Sequence, residues 1–513
     1  MAPSVAGYYA KKSIFITGAT GFLGKVLVEK LLRCCPELEA IYLLMRDKKG
    51  QSSDQRLKGF LKCSVFNRLQ EENPQCFRKL RLVPGDILAD GLGISDDLRE
   101  KLRNECQIIF HCAACVRFDM PIKDATALNV RGTQRVLDLT ESMTQLEVFV
   151  HVSTAYCHCE LPELEERVYA TTNNPHDVMR WIEWMDDESL AHLQPKLIHP
   201  QPNTYAYTKS LAESLVAQYE GKFPIVIARP SIVAAALKEP VPGWVDSLNG
   251  PTGLLVGAGK GAIRTIFTKE ALTCDIIPVD FVVNGCILAA FNTGTNKWCI
   301  RQMSEADYQD YNWTVRPKEI QVVNLTVSRR NPVTVGELID MGRVHVQEFP
   351  FSRCLWYPGG SQKTSRLHHQ IALLSTHLLP AYLLDLMLLL LGQKTFMVKM
   401  QQRISAGLQT FQYYWLNEWH FHNENFLALR KHISKEDDGT FYTDIKMVNW
   451  NSYIRDYIFG ARTYCCKEHP ATLPQARILQ KRLYYLDWAA KIIIYSLCAY
   501  FLFYFIRIFL SVM

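Results

Sequence analysis

The segment that most limits what this chain can fold into is a strand, a glycine turn and a helix start in direct succession. Ser13–Thr17 reads SIFIT, a run of β-branched and aromatic residues. Gly18-Ala19-Thr20-Gly21-Phe22-Leu23-Gly24 follows, and residues 22–33 carry an apolar helical pattern. The glycine spacing is G-x-x-G-x-x-G. Gly18 permits a tight turn, Gly21 lets the backbone approach a pyrophosphate, and Gly24 lets helix and strand pack closely. The helix start offers unpaired N–H groups to the anion. Thr17, Thr20, Phe22 and Leu23 complete this cofactor-binding loop. A glycine loop alone is weak, and the strand–turn–helix context is what makes it specific.

The same unit recurs through the first 230 residues. Ala40–Met45, residues 80–83, residues 108–111, Val148–Val152 and residues 225–229 read as short buried parallel strands, and residues 122–143 and 204–220 as helices. This alternation predicts an α/β fold with a doubly wound, Rossmann-type parallel sheet. Residues 230–328 are irregular and rich in Gly and Pro, and are expected over the strand ends as part of a substrate pocket. Beyond about residue 330, aromatic-rich helical patterns take over. The expected division is residues 1–330 as the cofactor-binding domain with its substrate region, 331–483 as a C-terminal helical domain, and 484–513 as a hydrophobic tail.

Composition narrows the class. A hydrophobic content of 48% in 513 residues excludes a disordered chain and provides for more than one core. The 57 Lys+Arg against 51 Asp+Glu leave a net charge of only +6, with no long basic run, so nucleic acid is not an expected partner. The N-terminal residues hold no apolar stretch ahead of a cleavage site. The 16 scattered cysteines are therefore expected as reduced thiols in a cytosol-facing protein. Residues 488–513 are almost entirely apolar, broken by Lys491 and Arg507. The uninterrupted part, 492–506, is shorter than the ~20 residues of a spanning helix, and snorkelling of the two cations lengthens it. Arg477, Lys481 and Arg482 place the preceding side in the cytosol. A membrane tail anchor is the first reading and an interfacial or buried hairpin the alternative. A second apolar run, residues 371–391, contains His377, Pro380 and Asp385, which favour a buried or membrane-resting helix over a span.

The ends of the strands carry the chemistry. An acidic residue after the second strand would accept the ribose hydroxyls of NAD; here Arg46 stands there, with Lys48 and Lys49 behind it, which favours the 2′-phosphate of NADPH. Asp86 and Ile87 follow the third strand and are expected to face the adenine. Ala113 and Ala114 follow the fourth, where small side chains leave room for the cofactor. Pro230, which closes the strand 225–229, is also counted among the cofactor-binding positions. Tyr205 and Lys209 form Tyr-x-x-x-Lys, and i and i+4 share one face of a helix. A nearby ammonium is expected to lower the phenol from its ordinary value of ~10 toward neutrality. Tyr207 is the competing phenol, without a lysine at i+4. Ser153 and Thr154 directly follow the fifth strand, where a hydroxyl can bond a substrate carbonyl. Thr154 is slightly preferred, since strand alternation does not decide between them. Asn129 is read equally as a packing residue and as a proton relay.

Glycine loop, Ser-Thr at a strand end, then Tyr-x-x-x-Lys on the next long helix is an order that resembles the extended short-chain dehydrogenases/reductases, over roughly residues 12–330. A closer resemblance is to the fatty acyl-CoA reductases that form fatty alcohols. It rests on KSIFITGATGFLGKVLVEKLLR, IIFHCAACVRFD, HVSTAYCHC, IEWMDD, NTYAYTKSLAE, ARPSIVAAALKEPVPGWVDSLNGP and GAGKG, and later on VNWNSYIRDYIFGARTY. The resemblance implies that Gly18, Gly21 and Gly24 hold NADPH and that Tyr205 and Lys209, helped by Thr154 or Ser153, do the chemistry. It also implies a long-chain acyl-CoA substrate, two hydride transfers through an aldehyde, and a membrane-anchored enzyme, with the peroxisomal membrane favoured over the endoplasmic reticulum. Ala234 stands where the family usually has Gly, and Cys115 where it often has Thr; both bear on chain-length preference. The competing functions are a sterol or steroid dehydrogenase of the same extended class, which Arg46 disfavours, and a cofactor-binding membrane scaffold, which the Tyr205/Lys209 pair disfavours.

Other motifs carry less. Cys112 and Cys115 match C-x-x-C but sit where the cofactor passes. Cys157-His158-Cys159 lacks a second ligand pair at zinc spacing, so no metal is expected. His368, His369, His420 and His422 are expected on a helix surface or in an aromatic patch. Arg117 is read equally as a CoA-phosphate ligand and as a surface arginine.

Overall fold

The structure is a computed structural model that describes residues 4–48, 50–295, 319–431 and 433–512. Residues 1–3, Lys49 of the basic cluster, residues 296–318 of the irregular stretch and Met513 of the tail lie outside the described residues.

Seven parallel strands form the central sheet: β1 (Ser13–Thr17), β2 (Ala40–Met45), β3 (Leu80–Pro84), β4 (Cys106–His111), β5 (Val148–Val152), β6 (Ile225–Pro230) and β7 (Gln321–Leu325). Their order across the sheet is β7-β6-β5-β4-β1-β2-β3. The order reverses between β1 and β4, which pair with Thr17 opposite His111. That reversal opens the crevice where sheets of this kind take ligands. Every residue of β1, β2, β5 and β6 is buried, as expected of strands covered on both faces.

Helix α1 (Phe22–Cys34) follows β1, and α2 (Thr204–Ala217) precedes β6. Between β4 and β5 the expected single helix 122–143 is a helical run with a π-turn at Ala127–Arg131, flanked by Ile122–Thr126 and Gly132–Glu141. Helix α3 (Val279–Gly294) is buried along all but its last residue. Each Val, Leu, Ile or Phe it removes from water contributes about 1.5–3 kcal/mol.

The chain divides into two compact units, and the division is not one of consecutive domains. Residues 1–245, 273–333 and 417–449 form the first; residues 246–272, 334–416 and 450–513 form the second. A boundary at residue 330 would separate 417–449 from the unit it packs in. The reason is local: Asn423 Nδ2 donates to the Thr326 carbonyl at 2.9 Å, and Asn425 Nδ2 to that of Val322 at 2.8 Å. Asp280 accepts from the Leu237 and Lys238 N–H groups at 3.0 and 2.8 Å and from the Tyr442 hydroxyl at 2.6 Å.

The second unit is helical. It includes Val335–Glu348, Trp450–Gly460, α4 (Arg366–Leu373), α5 (Leu379–Leu390), α6 (Met397–Leu416) and the 40-residue α7 (Leu473–Val512). Two stretches, Arg366–Leu390 and Pro470–Ile508, are long and apolar enough to cross a membrane, with 11% and 0% of their most apolar windows buried.

Candidate active site

The site is built at the carboxyl edge of β1, β4 and β5, starting with the glycine loop. Gly18 has φ +75°, and a Cβ there would lie 2.6 Å from the Ala113 nitrogen, so a side chain is excluded twice over. At Gly24 a Cβ would meet the Ala19 Cα at 2.7 Å. Gly21 caps α1 with no side-chain acceptor, leaving the first N–H groups of the helix directed into the crevice. Phe22 stacks on Trp244 at 5.6 Å, with Leu23 half-buried beside it in the first turn. This backbone cradle fits a pyrophosphate. Thr17 differs from the rest of the loop. Its hydroxyl bonds His111 Nδ1 at 2.7 Å and accepts from the Ala113 N–H at 3.3 Å, so it fastens the strand ends together.

The basic cluster is organised by a residue that the sequence reading missed. Arg46 donates to Asp86 at 3.1 Å. Arg56 donates to the Arg46 carbonyl and, at 3.4 Å, to the Thr20 hydroxyl. Partial burial and the neighbouring Arg46 hold the Arg56 guanidinium below its ordinary value. Two guanidiniums and the Thr20 hydroxyl thus converge beside the glycine loop, with Lys48 exposed nearby. The only signal in the sequence was a further basic residue in the helix after the lysines. Asp86 is bound by Arg46 and by the Leu88 N–H at 3.1 Å. The Ile87 carbonyl accepts from Arg135 at 3.1 Å.

The hydroxyl groups separate clearly. The Thr154 hydroxyl faces the Tyr205 phenol closely enough to favour its ionised form. Thr154 Oγ1 accepts from the Tyr156 N–H at 3.2 Å and donates to the Pro230 carbonyl at 3.5 Å. Ser153 turns the other way, toward Glu213, with no hydrogen bond of ordinary geometry. Tyr205 stacks on Phe118 at 5.4 Å. Tyr207 is committed elsewhere, accepting from Asn173 Nδ2 at 2.9 Å.

Asn129, from the π-turn, holds the loop that contains Ala114. Its Oδ1 accepts from the Cys115 N–H at 2.8 Å, and its Nδ2 donates to the Cys115 carbonyl at 3.2 Å and to Thr208 at 2.9 Å. Both protons of its amide are used in tying the loop to α2, which corresponds to the packing alternative. Asn203 caps α2 by accepting from the Ala206 N–H at 2.9 Å.

The electrostatics correct one expectation. Tyr205 is not lowered by Lys209. Burial pushes the phenol well above its ordinary value, against the opposing influence of the Thr154 hydroxyl. Sharing a helix face does not bring the ammonium to the phenol oxygen, because Lys209 Nζ donates to the Val152 carbonyl at 2.8 Å. Burial pulls Lys209 itself down to about 8, opposed chiefly by the Glu213 carboxylate. Glu213 is paired with Arg229 at 2.5 Å, and the two are 1% and 0% exposed.

His111 lies beneath the loop, between Thr17 and Thr133, at 2.7 and 3.0 Å. Burial, then the Lys209 charge, pulls it from 6.5 down to about 3. The folded protein therefore keeps this ring neutral while the unfolded chain protonates it below pH 6.5. The stability it secures is complete above that pH and is lost as the pH falls toward 3. Going from pH 7 to pH 5 should lower the unfolding free energy by about 2 kcal/mol through this group. Urea denaturation at the two pH values, with His111→Asn as the comparison, checks this.

The remaining motifs stay outside the site chemistry. The cysteines whose side chains are described are free thiols, and burial pushes Cys112 up to about 12. Among the described residues no group of three His, Cys, Asp or Glu is placed to hold a metal. His158 pairs with Glu160 at 3.2 Å, and Arg117 with Asp119 at 2.9 Å. His369 bonds Thr265 at 3.1 Å from helix α4, with His368 exposed beside it. His420 opens the two-residue strand His420–Phe421 and His422 directly follows it, so neither lies on a helix; their rings are 4.5 Å apart.

Comparison with known proteins agrees with this architecture. A family model described as male sterility protein matches residues 16–286, and a second with the same description matches residues 376–468. Fatty acyl-CoA reductase 1 of Gallus gallus is 38% identical over 478 residues, covering 92% of this chain and 88% of that protein. The Homo sapiens protein of that name is 37% identical with the same coverage, and fatty acyl-CoA reductase 2 of Bos taurus is 36% identical, covering 93% and 89%. Among solved structures, the terminal R domain of the myxalamid biosynthetic pathway shares the fold at TM-score 0.56 and 19% identity, covering 88% of this chain and 90% of that one. A nonribosomal peptide synthetase reductase domain from Mycobacterium tuberculosis does so at 0.57 and 16%, covering 90% and 92%. By its identity to these relatives over nearly its whole length, the chain belongs to the fatty acyl-CoA reductase family.

Proposed function

We propose that this protein reduces long-chain fatty acyl-CoA to the primary fatty alcohol with NADPH, releasing CoA, in two hydride transfers through an aldehyde. The observation that carries the reading is the Thr154 hydroxyl set against the Tyr205 phenol past the carboxyl end of β5, with the buried Lys209 on the last carbonyl of that strand and the glycine loop across the switch point. The glycine loop would hold the pyrophosphate of NADPH, whose nicotinamide would supply the hydride. The chain supplies donors at the substrate oxygen. Tyr205, kept protonated by burial, gives its proton or a hydrogen bond to the developing oxyanion, and Thr154 gives a second. Collapse of the resulting hemithioacetal expels CoA, and the same donors serve the aldehyde.

Arg46 and Arg56 support NADPH over NADH, since guanidiniums bind a 2′-phosphate in the fixed geometry that a carboxylate would repel. Removing each charged hydrogen bond costs about 1.5–3 kcal/mol. Arg46→Ala or Arg56→Ala is thus expected to raise KM for NADPH by roughly 10–100-fold while leaving NADH kinetics nearly unchanged. Steady-state kinetics with both nucleotides checks this.

Helix α7 beyond residue 488 is read as a tail anchor that keeps the catalytic unit in the cytosol, with the peroxisomal membrane favoured over the endoplasmic reticulum. The deciding experiment follows NADPH oxidation with a series of acyl-CoAs and identifies the products. Two NADPH per CoA released, with alcohol formed from a long-chain substrate, is the expected result. Aldehyde accumulating at one NADPH per CoA removes the second reduction, and no turnover in detergent or liposomes sinks the reading.

A further inference from the structure

The second unit carries an exposed apolar helix for which the reductase chemistry has no use. Along α5, Tyr382, Leu383, Leu386, Met387, Leu389 and Leu390 are all exposed, Leu390 by 79%. Beyond its first turn, where Pro380 is half-buried and Ala381 buried, only Asp385 and Leu388 are turned partly inward to the protein. A protein partner would cover one stripe of such a helix. Here the bare positions run around most of the circumference, which only a fluid apolar phase covers completely.

The helical run Arg366–Leu390 that ends in α5 is long enough to cross a membrane, but its upstream part is held by the protein, and the 12 residues of α5 alone rise about 18 Å, against about 30 Å of hydrocarbon. The chain on either side is committed to the protein. Upstream, His377 is 1% exposed and accepts from the Arg264 N–H at 2.8 Å. Downstream, the Asp385 carboxylate, the one acidic group in α5, accepts from the N–H groups of Phe396, Met397 and Val398 at 3.0, 3.0 and 2.9 Å. Asp385 thus caps α6 and folds the chain back on itself. Lys394 in the turn and Lys399 at the start of α6 are exposed beside the apolar surface, where cations meet anionic headgroups.

Arg264 ties this element to the candidate anchor. Its backbone holds His377 ahead of α5, and its guanidinium donates at 2.9 Å to Asp487, the residue just before the apolar part of α7. A bilayer reached by α7 is within reach of α5.

We propose that α5 lies in the plane of the membrane interface, its leucine face against lipid acyl chains and Lys394 and Lys399 against anionic headgroups, as an attachment separate from the C-terminal helix. This rests on the reading of the protein as membrane-bound. Its consequence is that the second unit, and not only the tail, rests on the phase that dissolves the acyl substrate and the alcohol product.

The test uses the full chain in phosphatidylcholine–phosphatidylserine vesicles that contain a lipid with a photoactivatable diazirine in its acyl chain, with adducts mapped by mass spectrometry. Adducts in residues 379–396 as well as 488–512 are expected. Leu386→Asp with Leu390→Asp should cut the 379–396 adducts at least about tenfold and leave those at 488–512 in place. Omitting phosphatidylserine should lower the 379–396 yield several-fold, and an unchanged yield overturns the headgroup part. Adducts at 488–512 alone overturn the proposal while leaving the tail anchor standing. Adducts at neither place remove the membrane reading itself. Cross-links between copies through 379–396, without lipid adducts there, assign the face to a second copy and overturn the lipid assignment.

Discussion

Tyr205→Phe is expected to lower kcat for acyl-CoA reduction by about 10²–10⁴-fold, the range for losing a positioned proton donor. KM for acyl-CoA should change little, because a phenol in the proposed role acts on charge that develops only in the transition state. Burial holds Tyr205 well above its ordinary value, so at neutral pH the group is a phenol and a donor, and raising the pH does not rescue the variant. The alkaline limb of kcat/KM is expected to come from Lys209, which burial brings down to about 8. That limb should remain near pH 8 in Tyr205→Phe. Thr154→Ala removes the second donor and should cost on the order of 10² in kcat. Tyr207→Phe is the discriminating control. Its hydroxyl is taken by Asn173, so it should lose about 1 kcal/mol of stability and keep its rate. Full activity in Tyr205→Phe, or loss in Tyr207→Phe alone, would sink the assignment.

The parts of this site that were legible in the sequence are those with a short period or a fixed local geometry. SIFIT, the glycine spacing and the i, i+4 pair each act within a few residues, and the continuous β-branched runs announce strands buried on both faces. β7 escaped because QVVNL is short, follows an irregular stretch and has no period of its own. The return of residues 417–449 to the first unit escaped because it rests on single asparagine side chains bonded to distant carbonyls. The choice between Ser153 and Thr154 was open because both lie just past the strand end, where alternation stops. The backbone turn sends one hydroxyl to Tyr205 and the other to Glu213. The expectation that Lys209 tunes the phenol failed for a similar reason. Sequence spacing aligns Cβ atoms, while the Val152 carbonyl decides where the ammonium points.

Glu213 was within reach of the same reasoning, since it extends Tyr-x-x-x-Lys by another four residues, but its partner Arg229 lies on β6. Glu213→Leu is expected to cost about 3–5 kcal/mol, because it strands a fully buried guanidinium. The other acceptors of Arg229 are the carbonyls of Glu165 and Arg167, at 3.2 and 3.0 Å, which cannot neutralise its charge. Glu213→Leu with Arg229→Met should recover most of that loss, since apolar groups of similar volume replace a buried pair at little cost. Leaving the two carbonyls without donors keeps back about 1–3 kcal/mol. Urea midpoints of the single and double variants measure both effects. The double variant also separates packing from function. Burial pushes the Glu213 carboxyl up, and Arg229 more than reverses this, so Glu213 is a fixed anion one helical turn from Lys209. It is the largest influence holding the Lys209 ammonium up against burial. With the anion gone, the alkaline limb of kcat/KM should move below pH 8 even where stability is restored. A limb that stays near pH 8 would assign the pair to packing alone. A limb that shifts would make the buried carboxylate the group that keeps Lys209 charged beside the hydroxyls of Tyr205 and Thr154.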